Sequence, residues 1–275
     1  MINKRQLKMH FDRNASNYDE FANVQRKMAD VIIDKLKEEK SDSDKIYKIL
    51  DLGCGTGTLS KKVSQLFSNG EITAIDISKN MINIARNNLE KCNVKYICAD
   101  IEKIKICDKF DIIVSNATFQ WFEDLDETLI QILKYLKEGG VLFFSTFGEN
   151  TFNELYKSYE LSKTNLGIKD NIQPGQNFYS FDNIKKIINS CSENYEVSGF
   201  EENEVELFNS VKDFLYSIKK IGANNSNNRK NNNPRIVKDM IKLYDQNYKI
   251  NNKIRATYHC MYFLCKKENK NGFEK

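Results

Sequence analysis

No apolar run in this chain approaches the roughly 20 residues that would span a bilayer. The basic opening Met1-Ile-Asn-Lys-Arg-Gln-Leu-Lys8 is not followed by an apolar core, so neither a membrane anchor nor a secretory signal is expected. The seven cysteines, an odd number, are scattered without the paired spacing of a zinc site or a disulfide framework. Free thiols in a reducing cytoplasm are the simplest reading. Charge of one sign is not in large excess either: 42 Lys+Arg against 38 Asp+Glu leave a net charge of +4, too mild to mark a nucleic-acid binder. The composition is rich in Lys, Asn and Ile, so scattered lysines carry little meaning without positional support. No internal repeat is visible, and 275 residues suffice for one large domain with a substantial core.

Against this plain background stands Ile49-Leu-Asp-Leu-Gly-Cys-Gly-Thr-Gly-Thr58, a short apolar strand running into a turn with glycine at 53, 55 and 57. Glycine at alternate positions lets the backbone turn sharply and approach a ligand, and Leu59 to Phe67 is patterned as a helix. A nucleotide-like ligand is expected there. Glu71-Ile-Thr-Ala-Ile75 reads as a second strand ending in Asp76, about 20 residues past the loop, where a carboxylate meets a ribose. Asp51, two residues before the first glycine, faces the same small molecule. The dinucleotide-binding alternative needs Gly-x-Gly-x-x-Gly, and Thr58 occupies its last glycine position.

The motif Asp-Leu-Gly-Cys-Gly-Thr-Gly at 51–57 and Ala-Ile-Asp-Ile-Ser at 74–78 resembles class I S-adenosylmethionine-dependent methyltransferases residue for residue. The resemblance implies S-adenosyl-L-methionine as cofactor, held by Asp51, Gly53, Gly55, Gly57, Asp76 and Ile77. It also implies that Asp100 and Ile101, after the third strand, border the adenine. Asn116 and Gln120, in Ser115-Asn-Ala-Thr-Phe-Gln-Trp121, would face the methionine portion and the reaction centre. Phe119 and Trp121 fit core packing as well as substrate contact. No metal is expected, since neither the chemistry nor any ligand spacing calls for one.

Leu7 to Lys40 reads as one helix. Strands over 47–52, 71–75, 94–99, 110–115 and 140–147 then alternate with helices over 58–67, 78–91 and 124–136, which argues a parallel sheet covered on both faces. Helices are expected at 151–165, 181–191, 211–221 and 235–249, with strands at 195–208 and 256–265. A polar loop containing Pro174-Gly175 should lie over the ligand. The expected fold is α/β and Rossmann-like, a seven-stranded mostly parallel sheet with an antiparallel last strand and helical lid elaborations. It forms a single domain over 1–275: an N-terminal helical segment (1–45), a donor-binding core (46–150), substrate-side elaborations (151–180 and 209–252) and the last strand (253–267).

Further segments resemble the malonyl-acyl-carrier-protein O-methyltransferases of biotin synthesis, the BioC family. Phe11-Asp-Arg-Asn-Ala-Ser-Asn-Tyr18-Asp19 with Gln25 matches its N-terminal helix, and Phe144-Ser-Thr-Phe147-Gly with Leu155 its fifth strand. Ser217-Ile-Lys-Lys-Ile-Gly-Ala223, Asn233-Pro-Arg235-Ile and Thr257-Tyr258-His259 match its late motifs. The resemblance implies methylation of the free carboxylate of a malonyl thioester. An antiparallel last strand would begin at the sheet edge where the parallel strands end, which places Thr257-Tyr258-His259 near the site. Tyr258, His259, Arg235 or Arg255 would then hold the carboxylate, with Tyr18 closing over the donor. Period-two alternation puts Tyr258 and His259 on opposite faces, and His259 fits equally a histidine satisfied inside the sheet.

Lys212, Lys219, Lys220, Arg229, Lys230, Arg235, Lys238 and Lys242 cluster around the late helices. They suit an acidic carrier protein, malonyl-acyl-carrier protein, as partner, or simply a solvated face. No nucleic-acid or membrane partner is expected, and oligomeric state is left open. Competing readings are a methyltransferase for another small carboxylic acid or for RNA, and a non-catalytic S-adenosylmethionine-binding assembly protein.

Overall fold

The computed structural model describes residues 2–40, 45–90, 92–191, 194–222 and 233–269. Helix α1 (Lys4–Asn14) is capped by Asn3, whose side chain accepts from Gln6 N. The chain does not continue as the single expected helix. It passes through a 3-10 turn at Ala15–Asn17 and the short α2 (Tyr18–Phe21) before α3 (Asn23–Glu39). The breaks fall where ψ departs from helical values, at Asn14 (0°), Asn17 (1°) and Ala22 (44°). Asparagine favours such turns because its side chain competes for backbone hydrogen bonds, as Asn14 Nδ2 does at His10 O.

The core alternates β1 (Lys48–Leu52), α4 (Thr58–Leu66), β2 (Glu71–Asp76), α5 (Lys79–Asn88), β3 (Val94–Cys98), β4 (Phe110–Asn116), α6 (Leu125–Lys134) and β5 (Leu136–Phe147). Helix starts are set locally. Ser78 caps α5 by accepting from Met81 N, and Asp124 caps α6 by accepting from Glu127 N, with acids in the first turn of α6 and Lys134 in its last. Then follow α7 (Asn153–Asn165), α8 (Phe181–Cys191), β6 (Tyr195–Phe208), α9 (Val211–Lys220), α10 (Pro234–Asn247), β7 (Lys249–Ile250) and β8 (Lys253–Lys267). Pro234 occupies the first turn of α10, where its missing N–H costs nothing.

The strand order is β3-β2-β1-β4-β5-β8-β6. Strands β1 to β5 are parallel, in registers such as Asp51 opposite Ala74 and Asn116 opposite Ser145. Strand β8 is antiparallel to both neighbours, with Thr146 opposite Met261 and Glu204 opposite Tyr258. An unexpected eighth strand, β7, forms a hairpin with β8 through Asn251 and Asn252, at φ 48° and 62°. Two asparagines in the left-handed region make the tight turn that twisted strands prefer, so the segment read as the tail of a helix is strand.

Apolar side chains fill both faces of the sheet. One core lies under α3, α4, α9 and α10, with Met28, Ile32, Phe214 and Tyr244 fully buried; the other lies under α6 and α8, with Leu129, Phe144, Ile188 and Phe263. The doubly covered sheet opens a crevice beyond the carboxyl ends of its parallel strands, the place where such sheets bind ligands.

Candidate active site

A cavity of about 260 Å³ occupies that crevice. Its first wall is the glycine turn, in which the three glycines serve different purposes. A Cβ on Gly53 (φ +71°) would come within 2.2 Å of Thr118 Oγ1, so this glycine lets the first turn pack on the loop after β4. A Cβ on Gly55 (φ +54°) would project into open space, and Gly55 lines the cavity. Gly57 (φ +89°) is not in the lining: its Cβ would meet Leu89 Cδ1 at 2.4 Å, so it serves the packing of α4 on α5 instead. The structure thus places Gly57, one of the residues expected to hold the donor, in a packing contact outside the lining.

Asp76 closes the turn from the end of β2. Its Oδ2 accepts from Gly55 N at 2.9 Å and its Oδ1 from Ser78 N at 2.7 Å. Burial pushes this carboxyl up to about 6, against the two backbone hydrogen bonds that lower it. Asp51 lies one layer behind the lining, almost fully buried. Its Oδ2 accepts from Ser60 Oγ, while Oδ1 has no hydrogen-bond partner. Burial raises this group to about 7, with the Ser60 hydrogen bond opposing and the charge of Asp76 adding. Ile77, Asp100, Ile101 and Asn116 all border the same space. Asn116 is fixed from both ends of its amide: Nδ2 donates to Gln25 O at 2.8 Å and Oδ1 accepts from Ser145 Oγ at 2.7 Å.

The N-terminal arm covers this half of the cavity, with Lys4, Leu7, Phe11 and Tyr18 in the lining. Two aspartates fasten it. Asp12 Oδ1 accepts from Ser78 Oγ at 2.6 Å and from Asn80 N at 3.2 Å, and Asp19 Oδ1 accepts from Thr56 Oγ1 at 2.7 Å. Phe11 meets Trp121 edge-on at 5.8 Å, which makes Trp121 part of the wall, whereas Phe119 is core, stacked on Phe144 at 3.9 Å. The phenol of Tyr18 is pushed far up by burial and by the charges of Asp19 and Asp76.

The other half of the cavity is mainly apolar, walled by Phe147, Phe152, Leu155, Phe178, Leu215 and Ile218. Pro174, Gly175 and Gln176 place the polar loop over it. Tyr156 Oη donates to Gln176 O at 2.7 Å, and Gln176 Nε2 donates to Gln120 O. Gln120 is committed to the fold: Nε2 donates to Ala117 O at 2.7 Å and Oε1 accepts from Thr146 Oγ1 at 2.9 Å. These bonds hold the turn at Ala117, whose φ is +50°. Tyr156, Gln176 and Phe178 escape a motif-based reading; the Pro174-Gly175 turn was the available signal.

The residues nominated to hold a carboxylate are differently placed. Tyr258 lines the cavity, but its hydroxyl donates to Glu206 Oε2 at 3.2 Å, and burial followed by Glu206 holds its phenol far above the ordinary value. His259 points to the opposite face, as strand alternation requires, with Nε2 2.9 Å from Glu201 Oε2 and Nδ1 accepting from Asn150 N at 3.4 Å. It is not in the lining, which removes it from direct contact with a ligand there. Arg255 Nε donates to the fully buried Glu154 Oε1 at 2.9 Å, and Glu154 also accepts from Thr257 N and Oγ1. Arg235 is exposed on the first turn of α10 and outside the lining; its backbone N donates to the Asn233 cap. Arg229 and Lys230 lie outside the described residues.

A glycine turn opening on a crevice, an acid at the end of β2 and a β8 inserted antiparallel beside β5 define a Rossmann-like methyltransferase. Residues 43–173 match the family model described as a methyltransferase domain. The same fold is seen in the plantazolicin methyltransferase BpumL solved in complex with SAH (TM-score 0.55, 16% identity, covering 96% of this chain and 95% of that one). Curated relatives are more specific. The malonyl-[acyl-carrier protein] O-methyltransferase of Acetivibrio thermocellus is 45% identical, covering 98% of this chain and 95% of its own. That of Priestia megaterium is 39% identical, covering 98% and 100%. The chain belongs to the malonyl-[acyl-carrier protein] O-methyltransferase family.

Proposed function

We propose that this enzyme methylates the free carboxylate of a malonyl thioester carried on acyl-carrier protein, with S-adenosylmethionine as methyl donor, giving the methyl ester that opens pimeloyl synthesis in the biotin pathway. The observation that carries the reading is near-full-length identity of 45% to a malonyl-[acyl-carrier protein] O-methyltransferase. The cavity is consistent with it. When bound, S-adenosylmethionine supplies a methyl group on a positively charged sulfur. The residues suited to hold it are Gly53, Gly55, Asp76, Ile77, Asp100, Ile101 and Asn116. The open space above Gly55, where a side chain would intrude, fits a ligand that approaches the main chain closely.

The chain's own part is alignment and exclusion of water. Asn116 and the Ala117 turn, braced by Gln120 and Thr146, fix the floor; Tyr18 and Phe11 close the roof; the apolar half keeps water from the reacting carboxylate. No general base is required, because a carboxylate is already ionised near neutral pH. The exposed Lys212, Lys219, Lys238 and Lys242 of α9 and α10 suit an acidic carrier, and α9 turns Leu215 and Ile218 from that surface into the cavity. With free thiols throughout and no described helix long and apolar enough to cross a membrane, a cytoplasmic enzyme is the fitting setting. The test is methyl transfer in vitro to malonyl carrier protein, malonyl-coenzyme A and free malonate, read by mass. Methylation of the thioesters at their carboxylate is expected, and absence of transfer to both would overturn the reading.

A further inference from the structure

A carboxylate entering the acceptor half meets no unbalanced positive group among the described residues. Lys4 is the only Lys or Arg among the described residues of the whole lining; it belongs to the donor half, where it is already ion-paired with Asp100 at 3.6 Å and with Glu102. The donors of the last strand are each matched to an internal acid: Tyr258 to Glu206, Arg255 to Glu154 and His259 to Glu201. Tyr156 Oη already donates its hydrogen bond to Gln176 O. The other charged groups bordering the cavity, Asp76 and Asp100, are acids. A substrate carboxylate moving from water into this space would lose hydration and gain no counter-charge from the described side chains, an unfavourable exchange.

Resting on the malonyl reading above, we propose that the acceptor carboxylate is balanced by the positive charge of the bound donor instead of by a side chain, so that acceptor binding is coupled to donor charge. The chemistry then dissolves the attraction it relied on. The carbon–sulfur bond breaks with its electron pair returning to sulfur, a carboxylate oxygen forms the new bond to the methyl carbon, and a cation and an anion become two neutral products. A protein loaded with the spent, neutral donor has little hold on a fresh malonyl group, which disfavours a dead-end complex. A free arginine or lysine in the pocket would remove this discrimination, because it would attract the carboxylate whichever donor form was present.

The experiment measures binding of malonyl-coenzyme A by calorimetry to the full chain saturated with sinefungin, a donor analogue bearing a cationic amine at the transfer position, or with S-adenosylhomocysteine, which has a neutral sulfur there. Affinity is expected to be roughly tenfold or more higher with sinefungin, within the usual range of coupling between sites. Malonamyl-coenzyme A, the uncharged isostere that still accepts a hydrogen bond, is expected to bind alike with both, which separates charge from hydrogen bonding. In Tyr258→Phe the malonyl ratio is expected to persist. Equal malonyl affinities with both analogues would overturn the coupling while leaving the substrate reading in place. Binding with neither would overturn the substrate reading and the coupling together. Loss of the ratio in a folded Tyr258→Phe protein would reassign the carboxylate to that hydroxyl.

Discussion

Gly53, Gly55 and Asp76, which wall the donor half of the cavity, belong to one strand–turn–helix–strand unit and are joined through glycine N–H groups, Gly53 N donating to Ile75 O and Gly55 N to the Asp76 carboxylate Oδ2. Phe147, Phe178, Leu215 and Tyr258, which wall the acceptor half, arrive from the end of β5, a loop, α9 and β8. The first half is shaped by main chain, the second by side chains, so a substitution on one side should act through ligand approach and on the other through the assembly of distant segments.

The strongest break of this contrast is Gly55→Val, which puts a branched side chain into the open space at a φ that disfavours it. S-adenosylhomocysteine binding should weaken by about 100-fold, ~3 kcal/mol. Calorimetry showing wild-type affinity would remove Gly55 from the donor wall. Next comes Glu154→Ala, on the acceptor side. It strips the buried partner from Arg255 and Thr257, and because the Arg255 side chain is 39% exposed and can regain water, the loss should be about 2–3 kcal/mol, at or below the ~3–5 kcal/mol of a fully buried pair. Equilibrium denaturation is the measurement.

Gly57→Ala sharpens the comparison within one motif. Its Cβ presses on Leu89, so unfolding free energy should fall by ~1–3 kcal/mol while the folded protein keeps its affinity for the donor product. A matching loss of affinity would return Gly57 to the binding wall.

A smaller effect is expected from pH. Asp76 and Asp51 are raised to about 6 and about 7, chiefly by burial, whereas an unfolded carboxyl titrates near ~3.9. The folded chain therefore binds these protons more tightly, and their stabilising contribution is complete below about pH 4 and lost as pH rises through 6 and 7. Donor binding should run the other way, because an ionised Asp76 is the better acceptor for a ribose. Its dissociation constant should rise about fourfold from pH 7.5 to 5.5, following the ionised fraction, and Asp76→Asn should flatten that dependence.

The smallest change is expected from reversing charge at Lys219, Lys220 and Lys238. The Michaelis constant for malonyl carrier protein should increase severalfold at low salt, with less effect on malonyl-coenzyme A, because exposed charges act through screened attraction. Equal losses on both substrates would move carrier docking elsewhere.

The parallel sheet and the donor turn were legible because both are written locally. Apolar runs of strand length alternate with capped helices, and the spacing of Gly53, Gly55 and Asp76 brings all three to one cavity wall. The packing contact of Gly57 was not legible, because it depends on Leu89 and Ala85 on another helix. On the acceptor side, sequence nominated Tyr258 but not Glu206, the group on the adjoining strand that accepts its hydrogen bond. His259 and Arg255 similarly carry chemistry-bearing side chains whose partners, Glu201 and Glu154, lie more than fifty residues away. The eighth strand was hidden because Lys249-Ile250 and two asparagines following a helical pattern look like a frayed end until the asparagine turn brings Lys249 and Ile250 against β8.

Strand β8 comes last in chain order among the described elements, yet it sits inside the sheet, between β5 and β6. A chain emerging from the ribosome can complete β1 to β5 and the glycine turn while β5 still presents an open edge. Strand β6 has no sheet neighbour until β8 arrives, and the buried carboxylate of Glu154 waits for Arg255 and Thr257. Synthesis thus delivers a donor-side unit first and installs the keystone of the acceptor side last, so a chain stopped before β8 would carry two unpaired strand edges and an unmatched buried acid, a form prone to aggregation and open to proteolysis.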